Sequence, residues 1–427
     1  MPSWVVGPRC VLMVVVCNRL GALADGVPVK LELYYDVVCP YAFLAFRRAL
    51  ELRDKHGVEV DFRPVLLGGL FKLQGRPPVP AAAWNEAKVR WGKEDVLLWA
   101  QHWQVPLRYP ASHPQRTVEA MRLIVAAPDE VRVTLSEALF EAYWVDSKDM
   151  TDRTVLAEIG ARFGVDLSCI DEPSIKEKLH ACTAAASQRG VFGVPSLFVG
   201  EQMWWGQDRL RFAERALGLP DWDSGLPHDG GGVIDFYHDF ASPFSYLAST
   251  QIERIVAEKG FTVRWKPVLL GALFKAVGTA NVPLFEMTEL KRQYMFGDFM
   301  HWADHWGVPF SFPSTFPIRT VLPLRVAILQ PRTIAPMYQA LWTRDQNIGE
   351  AEVLKQVLDD AGFSGAELIA GTQDQAIKDE LRKNTEEAYG AGAFGVPSFV
   401  IDGRMVWGQD RLFLIRRLMS GWQPGVS

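Results

Sequence analysis

Positive charge is not in surplus here: 45 Lys and Arg stand against 50 Asp and Glu, for a net charge of −5. Without a basic excess the chain has no general grip on a phosphate backbone, so no nucleic-acid partner is expected. Cysteine is scarce as well. Five in 427 residues are too few for a disulfide-built secreted scaffold. No C-x-x-C pair occurs, and no metal site is expected. Long apolar runs are missing. The one apolar stretch near the start, residues 10–17, is far too short to span a bilayer, and no membrane partner is expected. Arg9 before it and Ala22-Leu23-Ala24 after it outline a signal peptide, but Arg19 interrupts the approach to any cleavage site. Residues 1–27 therefore read as a leader or disordered extension, and the protein as cytoplasmic. What is present in quantity is apolar surface, 48% of residues, with only 22% charged. That is globular composition with room for two or three cores. Fifteen tryptophans are the count that stands out.

The chain is one domain written twice. Arg63-Pro-Val-Leu-Leu-Gly-Gly-Leu-Phe-Lys72 recurs as Lys266-Pro-Val-Leu-Leu-Gly-Ala-Leu-Phe-Lys275, 203 residues later. Tyr35-Asp-Val-Val-Cys-Pro-Tyr-Ala42 aligns with His238-Asp-Phe-Ala-Ser-Pro-Phe-Ser245. The runs Trp99–Pro106 and Trp302–Pro309, Pro114–Thr117 and Pro317–Thr320, Phe192–Ser196 and Phe394–Ser398, and Trp205–Leu210 and Trp407–Leu412 also match in order. A period near 200 residues is a domain duplication, not a solenoid. Copy one is placed at 28–219 and copy two at 233–421. The Gly-, Pro- and Asp-rich stretch 220–232 reads as a linker.

Each copy has the same coarse layout. Val29–Tyr35 and Val233–Tyr237 alternate like strands. A helix follows from Pro40 or Pro243, since proline suits a first helical turn. Second strands are predicted at Val58–Arg63 and Phe261–Lys266. About 110 residues of helical character come next. A proline-led strand at Val194–Val199, a hairpin partner at Gln202–Trp205 and a helix from about Asp208 complete copy one. This order predicts an α/β chain of two thioredoxin-like domains, each with a helical insertion.

Three motifs carry chemistry. Cys39-Pro40 and Ser242-Pro243 place a thiol and a hydroxyl at a helix N-terminus. Unpaired N–H groups there stabilise a thiolate and lower its pKa, and a Ser hydroxyl can donate to a thiolate brought by a ligand. Plain N-capping explains a lone Ser equally well. Gly-Val-Pro-Ser at 193–196 and 395–398 predicts cis Pro195 and cis Pro397. Val194 and Val396 then present backbone for pairing with an extended, peptide-like ligand. Gly-Gln-Asp-Arg at 206–209 and 408–411 offers carboxylates suited to the amino and carboxyl ends of an amino-acid-like ligand.

Copy two resembles the 2-hydroxychromene-2-carboxylate isomerase and kappa-class glutathione transferase group, in the DsbA-like branch of the thioredoxin superfamily. The residues that carry this are Asp239–Tyr246, Lys266–Lys275, Lys291 with Tyr294 and Asp298, Phe316-Pro317, Arg325, Gly395–Ser398 and Trp407–Arg411. Copy one is similar, and through Asp36-Val-Val-Cys-Pro-Tyr41 it resembles the oxidoreductase side. The resemblance implies glutathione as cofactor and a small-molecule substrate. It implies that Ser242 stabilises the glutathione thiolate, that Val396 before Pro397 pairs with the cysteinyl backbone, and that Gln409 and Asp410 face the γ-glutamyl end. Cys39, Val194, Pro195, Gln207 and Asp208 are the matching positions in copy one. Two departures stand out. Ala42 occupies the place of a second cysteine, and Arg-Thr at 116–117 and 319–320 stands where Asn-Ser or Asn-Thr is expected.

The reading is a glutathione-dependent isomerase or transferase acting on a small aromatic electrophile, with Ser242 and Cys39 as candidate catalytic residues. The rivals are a thiol–disulfide oxidoreductase using Cys39 and a non-catalytic thiol- or peptide-binding protein. Because the related enzymes are dimers, an internal pseudo-dimer of the copies is expected. His102 and His305, between tryptophans, are read as packing, Cys169 and Cys182 as structural, and Lys72, Lys275, Lys88 and Lys291 as mainly solvated.

Overall fold

The computed structural model describes residues 30–77, 79, 84–222, 231–280 and 282–424. The leader expected at 1–27 and residues 223–230 of the expected linker lie outside the described residues.

In copy one β1 (Lys30–Tyr35) runs parallel to β2 (Glu59–Pro64) and antiparallel to β3 (Ser196–Val199), which pairs with β4 (Gln202–Trp205), giving the sheet order β2-β1-β3-β4. The alternation of β1 suggests one wet face, yet every residue after Lys30 is buried. The strand is central, and the buried Glu32 carboxylate is held by Arg63 at 3.0 Å and by Arg189. β3 starts one residue after Pro195, since proline has no N–H for the ladder.

Between β1 and β2 lies α1 (Pro40–His56), closed by Gly57 at φ 67°. Between β2 and β3 come α2 (Leu67–Leu73), α3 (Glu86–His102), α4 (Val118–Ala126), α5 (Asp129–Trp144), α6 (Arg153–Ala161) and α7 (Pro173–Gln188), the helical insertion. The last helix, α8 (Leu210–Ala216), begins two residues later than the sequence suggests, because Gln207–Arg209 form a 3-10 turn.

Copy two repeats the plan. β5 (Gly232–His238), β6 (Phe261–Pro267), β7 (Ser398–Ile401) and β8 (Arg404–Trp407) form a second sheet in the order β6-β5-β7-β8. Its helices are α9 (Pro243–Ala257), α10 (Leu270–Ala276), α11 (Glu289–Trp306), α12 (Val321–Leu329), α13 (Ile334–Arg344), α14 (Ala351–Asp360), α15 (Gly365–Gly371), α16 (Gln375–Gly390) and α17 (Leu412–Met419).

The copies share buried contacts. Phe413 and Leu414 of α17 pack with Leu44, Leu98 and Trp99 of copy one. Phe212 of α8 meets the Trp302 ring at 4.8 Å. Polar contacts occur in matched pairs. Arg209 grips Asp298 through Nε and Nη2 at 3.2 and 2.7 Å, and Arg411 grips Asp95 through the same atoms at 2.9 Å each. Arg209 also pairs with Asp410, and Arg411 with Asp208. All six side chains are buried or nearly so. Such pairs are costly to desolvate, but removing one partner strands a buried charge.

Arg209→Met should therefore lower stability by about 3–5 kcal/mol in urea unfolding. Adding Asp298→Leu should restore part of the loss. A single variant as stable as the parent, or a double variant no better than the single one, would refute this.

Candidate active site

The site begins at the turn between β1 and α1, and its counterpart between β5 and α9. The turn is braced by a buried aspartate. Asp36 accepts from the backbone of Val38 (3.1 Å) and Leu67 (2.8 Å) and from the Thr117 hydroxyl (2.8 Å). Asp239 accepts from Ala241 (3.0 Å), Leu270 (2.9 Å) and Thr320 (3.2 Å). Burial pushes both carboxyls above their ordinary range, against those hydrogen bonds. Thr117 and Thr320 of the divergent Arg-Thr pairs are thus structural ties to this turn. Trp144 and Trp342 donate their indole N–H to Val37 and Phe240 carbonyls at 2.8 and 2.9 Å, fixing the turn from the other side.

Cys39 and Ser242 stand at the N-cap positions, as expected. The Cys39 thiol makes no capping bond and instead donates to the Val194 carbonyl at 3.3 Å. Ser242 does both: its hydroxyl accepts from Ser245 N–H at 3.1 Å and donates to the Val396 carbonyl at 3.2 Å. Pro195 and Pro397 follow cis bonds, as read from the sequence. His113-Pro114 and Phe316-Pro317 are cis too, which the sequence reading did not anticipate.

The electrostatics of Cys39 run against expectation. The helix N-terminus was expected to lower its pKa. Burial instead pushes the thiol up to about 12, outweighing the backbone N–H groups of Ala42 and Tyr41, with Asp36 adding to the rise. The turn encloses the sulfur, and a desolvated anion costs more than one helix end returns.

The Trp-Gly-Gln-Asp-Arg-Leu hexad has a structural explanation. Gly206 and Gly408 sit at φ 107° and 106°, and a Cβ at either would lie 2.5 Å from the carboxylate of Asp208 or Asp410. Neither aspartate caps α8 or α17; both carboxylates engage the arginine pairs between the copies. The sequence reading placed them toward a ligand, and their primary contacts are Arg209 and Arg411. Gln207 and Gln409, 1% and 2% exposed, each keep an amide Nε2 without an acceptor among the described residues. Trp205 and Trp407 do the same with Nε1, which lies against Gly193 or Gly395 so closely that no Cβ fits without a shift.

Each copy lends residues to the other's site. The hydroxyl of Tyr294 in α11 accepts from the Trp205 backbone N–H at 2.8 Å, and its ring packs on Phe192. Trp91 of α3 packs on Phe394 and Trp407 at 5.4 and 5.0 Å. Lys72 and Lys275 are exposed, as read. Lys88 and Lys291 are not mainly solvated: Lys291 lies over the Trp205 ring at 4.8 Å, and burial, then Lys88 and Arg76, bring its pKa down to about 8. His102 and His305 pack among tryptophans and also meet Arg417 and Arg215 of the opposite copy. Burial lowers their pKa to about 3 and 4. His301 and His305 lie one helical turn apart, a spacing the sequence reading passed over. His301 bonds Gln202 at 2.8 Å, and no metal-ligating cluster occurs among the described residues. Cys169 and Cys182 are free thiols away from the turn. No described helix is long and apolar enough to cross a membrane.

A thiol or hydroxyl at the first helix, a cis proline facing it and a helical insertion define the thioredoxin-like class, present here twice. The model of the DSBA-like thioredoxin domain matches residues 30–218 and 233–420, so the chain belongs to that family, with the domain in tandem. Among curated relatives, the 2-hydroxychromene-2-carboxylate isomerase of Sphingobium xenophagum is 30% identical over 189 residues, 42% of this chain and 94% of the relative. That of Pseudomonas putida is 27% identical over 191 residues, covering 44% and 93%. Glutathione S-transferase kappa 1 of Rattus norvegicus is 29% identical over 210 residues, covering 45% and 92%. A solved 2-hydroxychromene-2-carboxylate isomerase is 25% identical, with a TM-score of 0.40 over 44% of this chain and 94% of that one.

The raised Cys39 pKa gives a pH test. Alkylation of Cys39 by iodoacetamide, followed by peptide mass, should be slow at neutral pH and still rising beyond pH 10, because the folded state favours the neutral thiol. A midpoint at or below that of an ordinary cysteine refutes this placement.

Proposed function

We propose that the protein is a glutathione-dependent isomerase or transferase acting on a small aromatic electrophile, with Ser242 as the residue that steadies the reacting thiolate. The observation that carries this is the meeting of the Ser242 hydroxyl with the Val396 carbonyl, 3.2 Å apart, at the start of α9. A donor side chain and a peptide-pairing edge converge there. The Ser242 hydroxyl can turn from the carbonyl to an incoming sulfur while Ser245 N–H and the helix N-terminus support the negative charge.

The chain's unspent polar groups fit glutathione. The amides of Gln207 and Gln409 retain donors for a carboxylate or peptide carbonyl. Lys88, Lys291 and Arg76, which have no carboxylate partner among the described residues, suit a ligand carboxylate; burial holds both lysines below their ordinary range, and at Lys291 the charges of Lys88 and Arg76 add to it. Val194 and Val396, next to Pro195 and Pro397, would hold the peptide backbone, and Gln207 and Gln409 would face its γ-glutamyl end, beside Asp208 and Asp410 in their arginine pairs. Glutathione supplies a soft thiolate nucleophile when bound. The chain's part is to orient it and to lower the cost of its charge.

The named relatives are isomerases and glutathione transferases, each matching about half of this chain. We infer further that the copies act as an internal pseudo-dimer, a reading supported by the paired Arg209–Asp298 and Arg411–Asp95 contacts. The redox rival is not favoured, because Cys39 lacks a partner at Ala42 and its thiol is held neutral.

Ser242→Ala should lower glutathione-dependent turnover of a model aromatic electrophile about a hundredfold. Ser242→Thr, which keeps a hydroxyl, should recover part of that. Thermal melts of both variants separate the loss of the cap, about 1 kcal/mol, from the loss of catalysis. Full rate in the alanine variant overturns the assignment.

A further inference from the structure

The wall beside each first turn keeps its geometry in both copies and changes its chemistry. In copy one Lys93 of α3 lies over the Tyr109 ring at 5.3 Å, and Tyr109 meets His113 at 5.0 Å and Trp144 at 5.6 Å. The 203-residue offset carries Lys93, Tyr109 and His113 to Phe296, Phe312 and Phe316. There Phe296 meets Phe312 at 5.0 Å, and Phe312 meets Phe316 at 4.9 Å and Trp342 at 5.6 Å. A cation on a ring and an imidazole against a ring have each become a pair of phenyl groups, at nearly the same spacing.

Both walls are tied to their turns. Trp144 and Trp342 are the indoles that donate to the turn carbonyls of Val37 and Phe240. The residue two places after each cap continues the wall. In copy one it is Tyr41, whose hydroxyl donates to Asp95 at 2.7 Å. In copy two it is Phe244, which meets Phe299 at 4.9 Å, and Phe299 meets Phe296 at 6.1 Å. Burial, and then the charge of Cys39, push the Tyr109 phenol up to about 12, so its hydroxyl lies within electrostatic reach of the sulfur. The duplication gives Phe312 the same relation to Ser242.

This phenyl face is not sealed core. Phe296 is 38% exposed, and Phe244, Phe312 and Phe316 are half-buried. A carboxylate set against it would exchange water for ring faces, which carry negative potential and offer no hydrogen bond in return. An uncharged ring would stack or tilt against the same phenyl groups and bury apolar area.

We infer that the second substrate of the Ser242 site is an uncharged aromatic electrophile, and that the wall of Phe244, Phe296, Phe312 and Phe316 selects against an aromatic carboxylate of the same shape. The inference rests on Ser242 as the seat of the glutathione thiolate and adds the charge of what that thiolate attacks. Phe296 is the position that sets the preference, because its counterpart Lys93 gives copy one's wall its cation. His113 adds no charge near neutrality, since burial, and then Lys93, lower its pKa to about 4.

The test is glutathione-dependent loss of chloride from methyl 4-chloro-3,5-dinitrobenzoate and from 4-chloro-3,5-dinitrobenzoate, catalysed by the full chain. In each, a C–S bond forms at the ring carbon and the C–Cl bond breaks. Chloride leaves with the bonding pair, and the thiol proton goes to water. All proteins carry Lys93→Ala, so that acid held by copy one's wall does not count. Taken relative to the uncatalysed rate, kcat/KM should favour the ester at least about tenfold. Phe296→Lys should lower that preference about tenfold, and Phe296→Leu should keep it within about twofold. Calorimetric titration with the unreactive methyl 3,5-dinitrobenzoate and 3,5-dinitrobenzoate should give the same order for binding. Equal preference for ester and acid, or a preference unmoved in folded Phe296→Lys protein, would overturn the inference. If neither chloride is displaced but the binding order and its response to Phe296→Lys hold, the glutathione reading fails and the selection by the phenyl wall stands. If the ester is neither bound nor turned over, both fail.

Discussion

Two buried arginines hold the halves of this molecule in register. Each sits in the hexad that follows its own sheet, and each closes on an aspartate from the long insertion helix of the other copy. A guanidinium surrounded by carboxylates in a dry interface has a narrow range of acceptable geometries, because its planar fork must meet each acid in plane. A small slip between the copies would leave several charges unpaired at once. Such a network restricts the orientations in which every charge stays paired.

The candidate sites depend on that orientation. α11 brings Tyr294 and Lys291 to the wall of the copy-one site, and α3 brings Trp91 to the wall of the copy-two site. Neither copy alone would have the same surroundings for its cis proline. The hexad therefore serves two purposes at neighbouring atoms. Its glutamine keeps an unspent amide beside the site, while its aspartate and arginine join the copies. The close fit of Gly206 and Gly408 to the aspartates leaves no room for a side chain between these purposes.

Duplication has allowed the halves to drift apart where the network does not constrain them. At the first turn a buried, neutral thiol in one copy faces a hydroxyl in the other, each within hydrogen-bond reach of the carbonyl before the cis proline. The same backbone thus carries different polarities at equivalent positions. That is how a tandem protein can keep one scaffold and divide its chemistry.

Much of this was legible in the sequence. Recurrence of six blocks determined the duplication, and strand alternation with proline-led helix starts determined the element order. Gly-Val-Pro-Ser pointed to Pro195 and Pro397, and Ser-Pro to the cap at Ser242, because these are local effects of ring geometry and unpaired backbone groups. The roles of Asp208, Asp410, Arg209 and Arg411 were not readable, since their partners lie about 90 to 300 residues away in the chain and across an interface. The rise of the Cys39 pKa was hidden for the same reason. A helix end is visible in sequence, whereas desolvation depends on everything packed around the sulfur. The sequence by itself determined which groups stand at the turns. Only the tertiary structure decided which of them are buried and which are paired with the other copy, because charge pairing and burial are set by distance in space.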